Sequence, residues 1–307
     1  AAVRGLSPDD LVICCLSGGA SALLPAPRAP LTLADKQAVT RQLLASGADI
    51  QVLNTVRKHL SRLKGGRLAL ACAPARVLTL AISDVPGDDL AVIGSGPTAP
   101  DPSTDAEARV LLLRHLDPAR IPPAVLAALA GDQPWTPKAD DALFARVHNA
   151  IIASNRLALD AVGADVIAAP LEGEAWRAAE RFCAQAAAAP PGTLLAAGGE
   201  TTVTLGDDPG RGGRNQEFAL AAARWLARSG APVTVLACGT DGNDGPTDAA
   251  GGLVDGGSWA RMTARGLDPE RFLQRHDAYP ALQAGGDLVV TGATNTNVMD
   301  LALAWRG

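Results

Sequence analysis

The apolar positions of the chain fall into short unbroken runs separated by stretches with helical spacing. The runs 11–16 (LVICCL), 76–82 (RVLTLAI), 165–169, 193–197 (TLLAA), 201–205, 233–238 (VTVLAC) and 288–291 (LVVT) predict β-strands. Most lack the in–out alternation of a half-exposed strand, which predicts helices on both faces of the sheet. Residues 33–45 predict a helix opened by a capping box on Thr32 and Asp35 and stopped at Gly47. In the next helix Leu53, Val56, Leu60 and Leu63 share a face, Arg57, Ser61 and Lys64 follow one edge, and Gly65-Gly66 is the stop. Residues 215–228 follow a glycine-rich stretch and end near Gly230. The helix after SNRLALDA is short before the strand at 165, as though the connection near 161–163 were cut down. Strands alternating with helices predict an α/β fold.

A chain of 307 residues exceeds what one core usually holds, so two domains are expected. The polar, proline-bearing segment 130–145 reads as the linker, giving domains at 1–145 and 146–307. Lys+Arg number 27 against 32 Asp+Glu, for a net charge of −5, and no basic surplus points to a nucleic-acid partner. Cysteines at 14, 15, 72, 183 and 238 form no C-x-x-C and read as small buried hydrophobes, which predicts a reducing, cytoplasmic setting. The four histidines show no i,i+4 pair for zinc, and His59 beside Lys58 reads as a surface residue. No apolar run approaches a membrane span. The opening AAVRGLSPDD reads as the tail of a helix.

Several strand ends carry small or acidic residues. RVLTLAI leads to Asp84, TLLAA to Glu200, VTVLAC to Asp241 and Asp244, and LVVT to Thr294, Asn295 and Thr296. Ligands of open α/β sheets sit beyond strand carboxyl ends, so these four ends together are candidates for one site, although each taken singly reads more readily as a polar turn. In PGRGGRNQEF, glycines allow close backbone approach, a helix N-terminus follows, and Arg211 and Arg214 supply fork-shaped charge suited to phosphate. The Ser17-Gly18-Gly19 turn with Ser21 is a weaker anion candidate, having no adjacent cation. Neither G-x-x-x-x-G-K-[ST] nor G-x-G-x-x-G is found.

Taken together, SGGASALLPAP, NTVRKHLSRLKGGRLA, ISDVPGDD, GSGPTAPDPST, GGETTVTL, GRGGRNQEFALA, GTDGNDGPTDAAGG and GDLVVTGATNTNV resemble the class II glycerate 2-kinases, in order from about residue 6 to 300. The resemblance implies a Rossmann-like N-terminal domain, a smaller α/β C-terminal (MOFRL) domain and a cleft between them. It implies ATP-dependent phosphorylation of D-glycerate at the 2-hydroxyl, with magnesium. Arg214 matches the family arginine tied to catalysis. A family segment bearing a Gly-Lys-Ala lysine is not found in these 307 residues, which leaves open an upstream segment in the gene or a binding module without chemistry.

On this reading Arg214 and Asp241 are the catalytic candidates, and Asp84 with Asp241 the magnesium ligands. Substrate or nucleotide contacts are expected from Ser17, Gly18, Gly19, Ser21, Arg57, Lys58, Ser95, Gly96, Glu200, Arg211, Asn215, Glu217 and Thr296. The partner is a small molecule, with a homodimer as one option for assembly. The rival activity is an NAD(P)H-dependent hydroxypyruvate reductase, a label that family members often carry. That chemistry calls for a dinucleotide fingerprint, which is missing.

Overall fold

Strand β1 (Leu11–Leu16) runs parallel to β2 (Arg76–Ile82), and β3 (Val147–Ala153) lies on the other side of β2. The computed structural model describes residues 3–131 and 134–307, in two compact units, Ala1–Ile152 and Ala153–Gly307, of nearly equal length. The fold is α/β in each. Between β1 and β2 the first unit carries α1 (Ala20–Leu23), α2 (Leu33–Ala45), α3 (Ile50–His59) and α4 (Arg67–Cys72), and after β2 come α5 (Asp105–His115) and α6 (Pro123–Ala128). Its helical core gathers Val39, Leu43, Val56, Leu112 and Val125. Thr32 and Asp35 form the expected capping box on α2.

Several expectations are corrected in this unit. Leu11 and Ile13 on β1 are 52% and 58% exposed, so the sheet is not covered on both faces. Cys15 is exposed for the same reason, while Cys72 is buried. Helix α3 stops at His59 rather than running to the glycine pair. The Ser61 hydroxyl accepts the backbone N–H groups of Leu63 and Lys64, and Arg62 N–H goes to the Ala26 carbonyl, so the chain leaves the helical ladder. His59 is wholly buried, not a surface residue. Its Nδ1 lies 2.6 Å from Asp105 and its Nε2 3.3 Å from Asp101. Burial works against its proton, but these two carboxylates outweigh that and raise its pKa. The proposed linker packs onto this unit: Arg28 and Arg67 both stack on the Trp135 ring, Trp135 donates to the Ser61 carbonyl at 2.8 Å, and Lys138 reaches the Asp101 and Ser103 carbonyls. Residues 132–133 of that stretch lie outside the described residues, as do 1–2 of the expected helix tail, whose residues 3–10 form turns.

The second unit contains α7 (Asn155–Val162), β4 (Val166–Ile167), α8 (Ala175–Ala188), β5 (Leu194–Gly199), α9 (Arg214–Ser229), β6 (Val233–Gly239), β7 (Gly251–Val254), α10 (Ser258–Ala264), α11 (Pro269–Gln274), α12 (Ala278–Gly285), β8 (Leu288–Val289) and β9 (Asp300–Arg306). The connection near 161–163 is a plain helix end, with Gly163 as a left-handed cap. Residues 201–205 are not a strand; Thr202 forms an isolated bridge with Glu174, the residue that precedes α8. The sheet order is β4-β5-β9-β6-β7-β8. The last strand of the chain therefore sits centrally, antiparallel to both β5 and β6. Its Leu-Ala alternation carries little strand signal, because alanine favours helix, and two flanking partners override that preference. Helices α8 and α9 pack Phe182, Phe218 and Leu226 into the core.

Candidate functional site

Because β9 runs against its neighbours, β5 and β6 point the same way and their carboxyl ends share one edge. At that edge Asp300 opens β9 in register with both Gly199 and Gly239. Glu200 follows Gly199 directly and Asp241 lies two residues beyond Gly239, so three carboxyl-bearing residues stand at this edge. Arg214, the first residue of α9, reaches into them. Its Nε donates to Asp300 Oδ2 at 2.6 Å and its Nη2 to Asp300 Oδ1 at 3.0 Å, while Nη1 lies 2.5 Å from Glu200. A cation at a helix N-terminus works against the dipole by about 0.3–1 kcal/mol. The carboxylates offset that, so the placement is held against a local rule, as functional groups often are.

The α9 N-terminus has no side-chain cap of its own, since Gly213 occupies the capping position. The buried Asp244 does that work: Oδ1 accepts Asn215 N–H at 3.0 Å and Oδ2 accepts Gln216 N–H at 2.8 Å. A Cβ on Gly213 would run into this carboxylate, so the position requires glycine. Burial raises the Asp244 pKa, against the pull of those N–H donors. Asp241 Oδ1 accepts Asn243 N–H at 2.9 Å, and its carbonyl accepts Thr294 N–H at 3.1 Å, which ties the 291–296 loop to this turn. Gly242, at φ +86°, lies so close to the Gly292 carbonyl that no side chain fits.

A cavity of about 470 Å³ opens here, lined by Arg214, Glu217, Asp241, Asp244 and His276 among others. The Glu217 carboxylate lies 2.7 Å from His276 Nδ1, and burial lifts its pKa although the imidazole opposes the shift. Among the described residues no three His, Cys, Asp or Glu side chains are gathered to hold a metal by themselves.

Of the first unit's candidates, Ser21 and Arg57 line a second cavity. Ser17 is exposed, and Gly19, at φ +78°, caps α1. The Ser21 hydroxyl lies 2.6 Å from that of Ser95. Gly94, Ser95 and Gly96 are three successive left-handed residues, a strained turn for the serine. Lys64 Nζ donates to the Ser21 carbonyl at 2.6 Å and to its hydroxyl at 3.2 Å. Burial first, then the charges of Arg57 and Lys36, lower its pKa to about 7.

Comparison with known proteins is decisive. Residues 1–130 match the family model described as a domain of unknown function (DUF4147), and residues 193–300 match the MOFRL family. The glycerate 2-kinase of Pyrococcus horikoshii is 39% identical over 316 residues, which is 96% of this chain and 70% of that protein. The crystal structure of a glycerate kinase from Thermotoga maritima superposes with a TM-score of 0.89 at 38% identity, covering 100% of this chain and 75% of that one. A protein of Agrobacterium vitis, provisionally named a hydroxypyruvate reductase, is 48% identical over 98% of this chain and 71% of its own length. The chain belongs to the class II glycerate 2-kinase family.

In this family member the residues read from the sequence fall into two groups. Arg214, Glu200, Glu217, Asn215 and Asp241 come together in the second unit, with Thr296 half-buried in the neighbouring loop. Arg211 stacks on Tyr279 at 3.9 Å. Ser21 and Arg57 line the first unit's cavity, whereas Lys58 turns inward to Asp101 at 3.3 Å. Asp84 follows β2, half-buried, in the first unit. Asp300, His276, Lys36 and Lys64 were not singled out as site residues. Lys64 had a visible signal in its place along a basic helix edge. Asp300 had none, since its role depends on strand register.

Proposed function

We propose that this protein transfers the terminal phosphoryl group of ATP to the 2-hydroxyl of D-glycerate, giving 2-phosphoglycerate. The observation that carries the reading is the fixed guanidinium of Arg214, the family's catalytic arginine, in a cavity at a sheet edge. Phosphoryl transfer asks for positioning and charge stabilisation more than for covalent chemistry. Of the five N–H donors on Arg214, three are engaged by Asp300 and Glu200, so two remain for a phosphoryl oxygen. Asp300 is only 1% exposed and stays bound, which sets the orientation before substrate arrives. Glu200 is the exposed partner, the one an incoming oxyanion can replace.

Asp241 has one carboxylate oxygen free of protein hydrogen bonds among the described residues and lines the same cavity. Magnesium takes oxygen ligands and commonly uses one or two carboxylates alongside substrate phosphates, so this donor fits it. When bound, the ion would neutralise phosphate charge. His276, oriented through Nδ1 by Glu217, presents its other nitrogen for the substrate hydroxyl proton. The five cysteines, all free thiols, are compatible with a cytoplasmic setting, and among the described residues no helix is long and apolar enough to cross a membrane.

The test is to incubate the full-length gene product with ATP, magnesium and D-glycerate and identify the phosphoglycerate isomer. The reading expects 2-phosphoglycerate and ADP in equal amounts. Oxidation of NADH or NADPH by hydroxypyruvate, with no ADP formed from ATP and glycerate, would instead establish the reductase.

A further inference from the structure

The cavity in the first unit, of about 410 Å³, has an unusual charge pattern. Its lining includes Lys36 and Arg41 from α2, Arg57 from α3 and Lys64 from the turn before α4, with Ser21 beside them and no acidic side chain. Lys64 is 1% exposed and Lys36 8%. Their ammonium groups donate to neutral oxygens only: Lys64 to Ser21, and Lys36 to the Pro25 carbonyl at 2.7 Å. Among the described residues, none of the four cations has a carboxylate oxygen within 4.0 Å.

The same unit treats its other buried cations differently. Arg28 meets Asp105 at 2.9 Å and Lys58 meets Asp101 at 3.3 Å. Burying a charge without a counter-charge is costly, and folds normally avoid it by pairing. Here the cations also crowd one another. Burial first and Arg57 second lower the Lys36 pKa to about 8, and Lys64 feels both neighbours. A cluster of this kind is complete only when something negative enters it.

We propose that this cavity is a binding site for a phosphoryl oxyanion, with Lys36, Arg57 and Lys64 as its ligands. A multiply charged group suits it better than a carboxylate, which would answer a single one of the four positive charges. Arg57 adds a planar fork suited to two phosphate oxygens, and the lysines add point charges. The anion site stands on the cavity itself. That its occupant is a phosphoryl group of the kinase reaction, from nucleotide or phosphorylated product, rests on the reading given above.

Calorimetric titrations of the full-length protein with inorganic tripolyphosphate, 2-phosphoglycerate and D-glycerate test this, on the unmodified chain and on Lys64→Met and Arg57→Gln. At least one phosphate probe is expected to bind, and to lose tenfold or more in affinity in Lys64→Met and a smaller factor in Arg57→Gln. The probe that loses affinity identifies the source: tripolyphosphate stands for the nucleotide chain, phosphoglycerate for the product. On the unmodified protein, titration near pH 8 in two buffers of different ionisation enthalpy should show proton uptake, because the anion restores the lysine protons. Arg57→Gln, half-buried at the cavity, keeps the test available if Lys64→Met does not fold. Unchanged affinity for both phosphate probes in the variants, absent binding of either, or loss confined to D-glycerate overturns the proposal. Binding of tripolyphosphate that depends on Lys64, in a protein that does not phosphorylate glycerate, overturns the kinase reading and leaves the anion site intact.

Discussion

The two cavities of this protein handle charge in opposite ways. In the second unit Arg214 is held by Asp300 and Glu200, His276 faces Glu217, and Asp244 is satisfied by the α9 N-terminus. Each of these groups already has an answer, and Asp241 alone keeps a free oxygen toward the cavity among the described residues. In the first unit Lys36, Arg57 and Lys64 line a cavity with no carboxylate among them. The balanced site can be rigid while empty, so its groups wait in position for a reaction. The unbalanced site is strained while empty, and a ligand relieves it. Preorganisation and ligand dependence are thus separated within one chain, and the signs of mutational effects should follow that division.

The largest expected effect comes from the balanced site. Arg214→Ala should lower kcat by roughly 10²-fold or more, the scale of losing a positioned donor to developing charge. Arg214→Lys should recover little of it, because a point charge cannot keep the two-pronged bond to Asp300. A change confined to KM in steady-state assays would make Arg214 a ground-state binder only.

Next are two substitutions that should move stability in opposite directions. Asp300→Asn leaves Arg214 without its buried partner and should cost about 2 kcal/mol in urea unfolding, below the range for fully buried pairs because the guanidinium is partly solvated. Lys64→Met removes a buried charge that has no counter-ion and should stabilise the ligand-free protein by about 1 kcal/mol near pH 6. Destabilisation by both would show that Lys64 is compensated after all.

The pH response sharpens the same contrast. Burial first, and neighbouring cations second, lower the Lys64 pKa from the ordinary lysine value of 10.5 to about 7 and that of Lys36 to about 8. Between those values the unfolded chain binds more protons than the folded one, so this contribution to stability rises with pH from about 7 to 10.5. The advantage of Lys64→Met should therefore be greatest below pH 7 and fade by about 10.5. His59 acts in the opposite sense, because its folded pKa is raised above 6.5. Its contribution is present below 6.5 and lost as pH climbs through the raised value. Comparing variant and unmodified chains in parallel melts cancels that background. A pH-independent difference would mean that Lys64 titrates normally.

Asp241→Asn should have the smallest effect, and its form matters more than its size. If the carboxylate serves magnesium, the metal dependence of the rate moves to higher concentration and saturation restores part of it. If it orients the substrate hydroxyl, kcat falls with no change in magnesium dependence. Unchanged rate and unchanged magnesium response would reduce Asp241 to a turn residue.

The sequence by itself determined the features that depend on neighbours along the chain. The capping box at Thr32 and Asp35, the stop of α9 at Gly230, strands β1, β2, β5 and β6, and the α/β class are local consequences of spacing and turn chemistry. The GGRNQE stretch marked Arg214, and the ordered series of glycine-rich segments marked the family. Strand β9 was not legible, because its alternating Leu301-Ala302-Leu303-Ala304 becomes a strand only with β5 and β6 on either side. Asp300 reaches Arg214 through that register, and nothing in its own neighbourhood says so. His59 read as exposed because its burial is set by Asp101 and Asp105, more than forty positions away. Lys64 sat on a visible basic edge, but whether a cation is neutralised depends on which carboxylates the fold brings near. Local spacing encodes elements, and the tertiary structure decides which charges meet, because electrostatic pairing acts through distance in space and not along the chain.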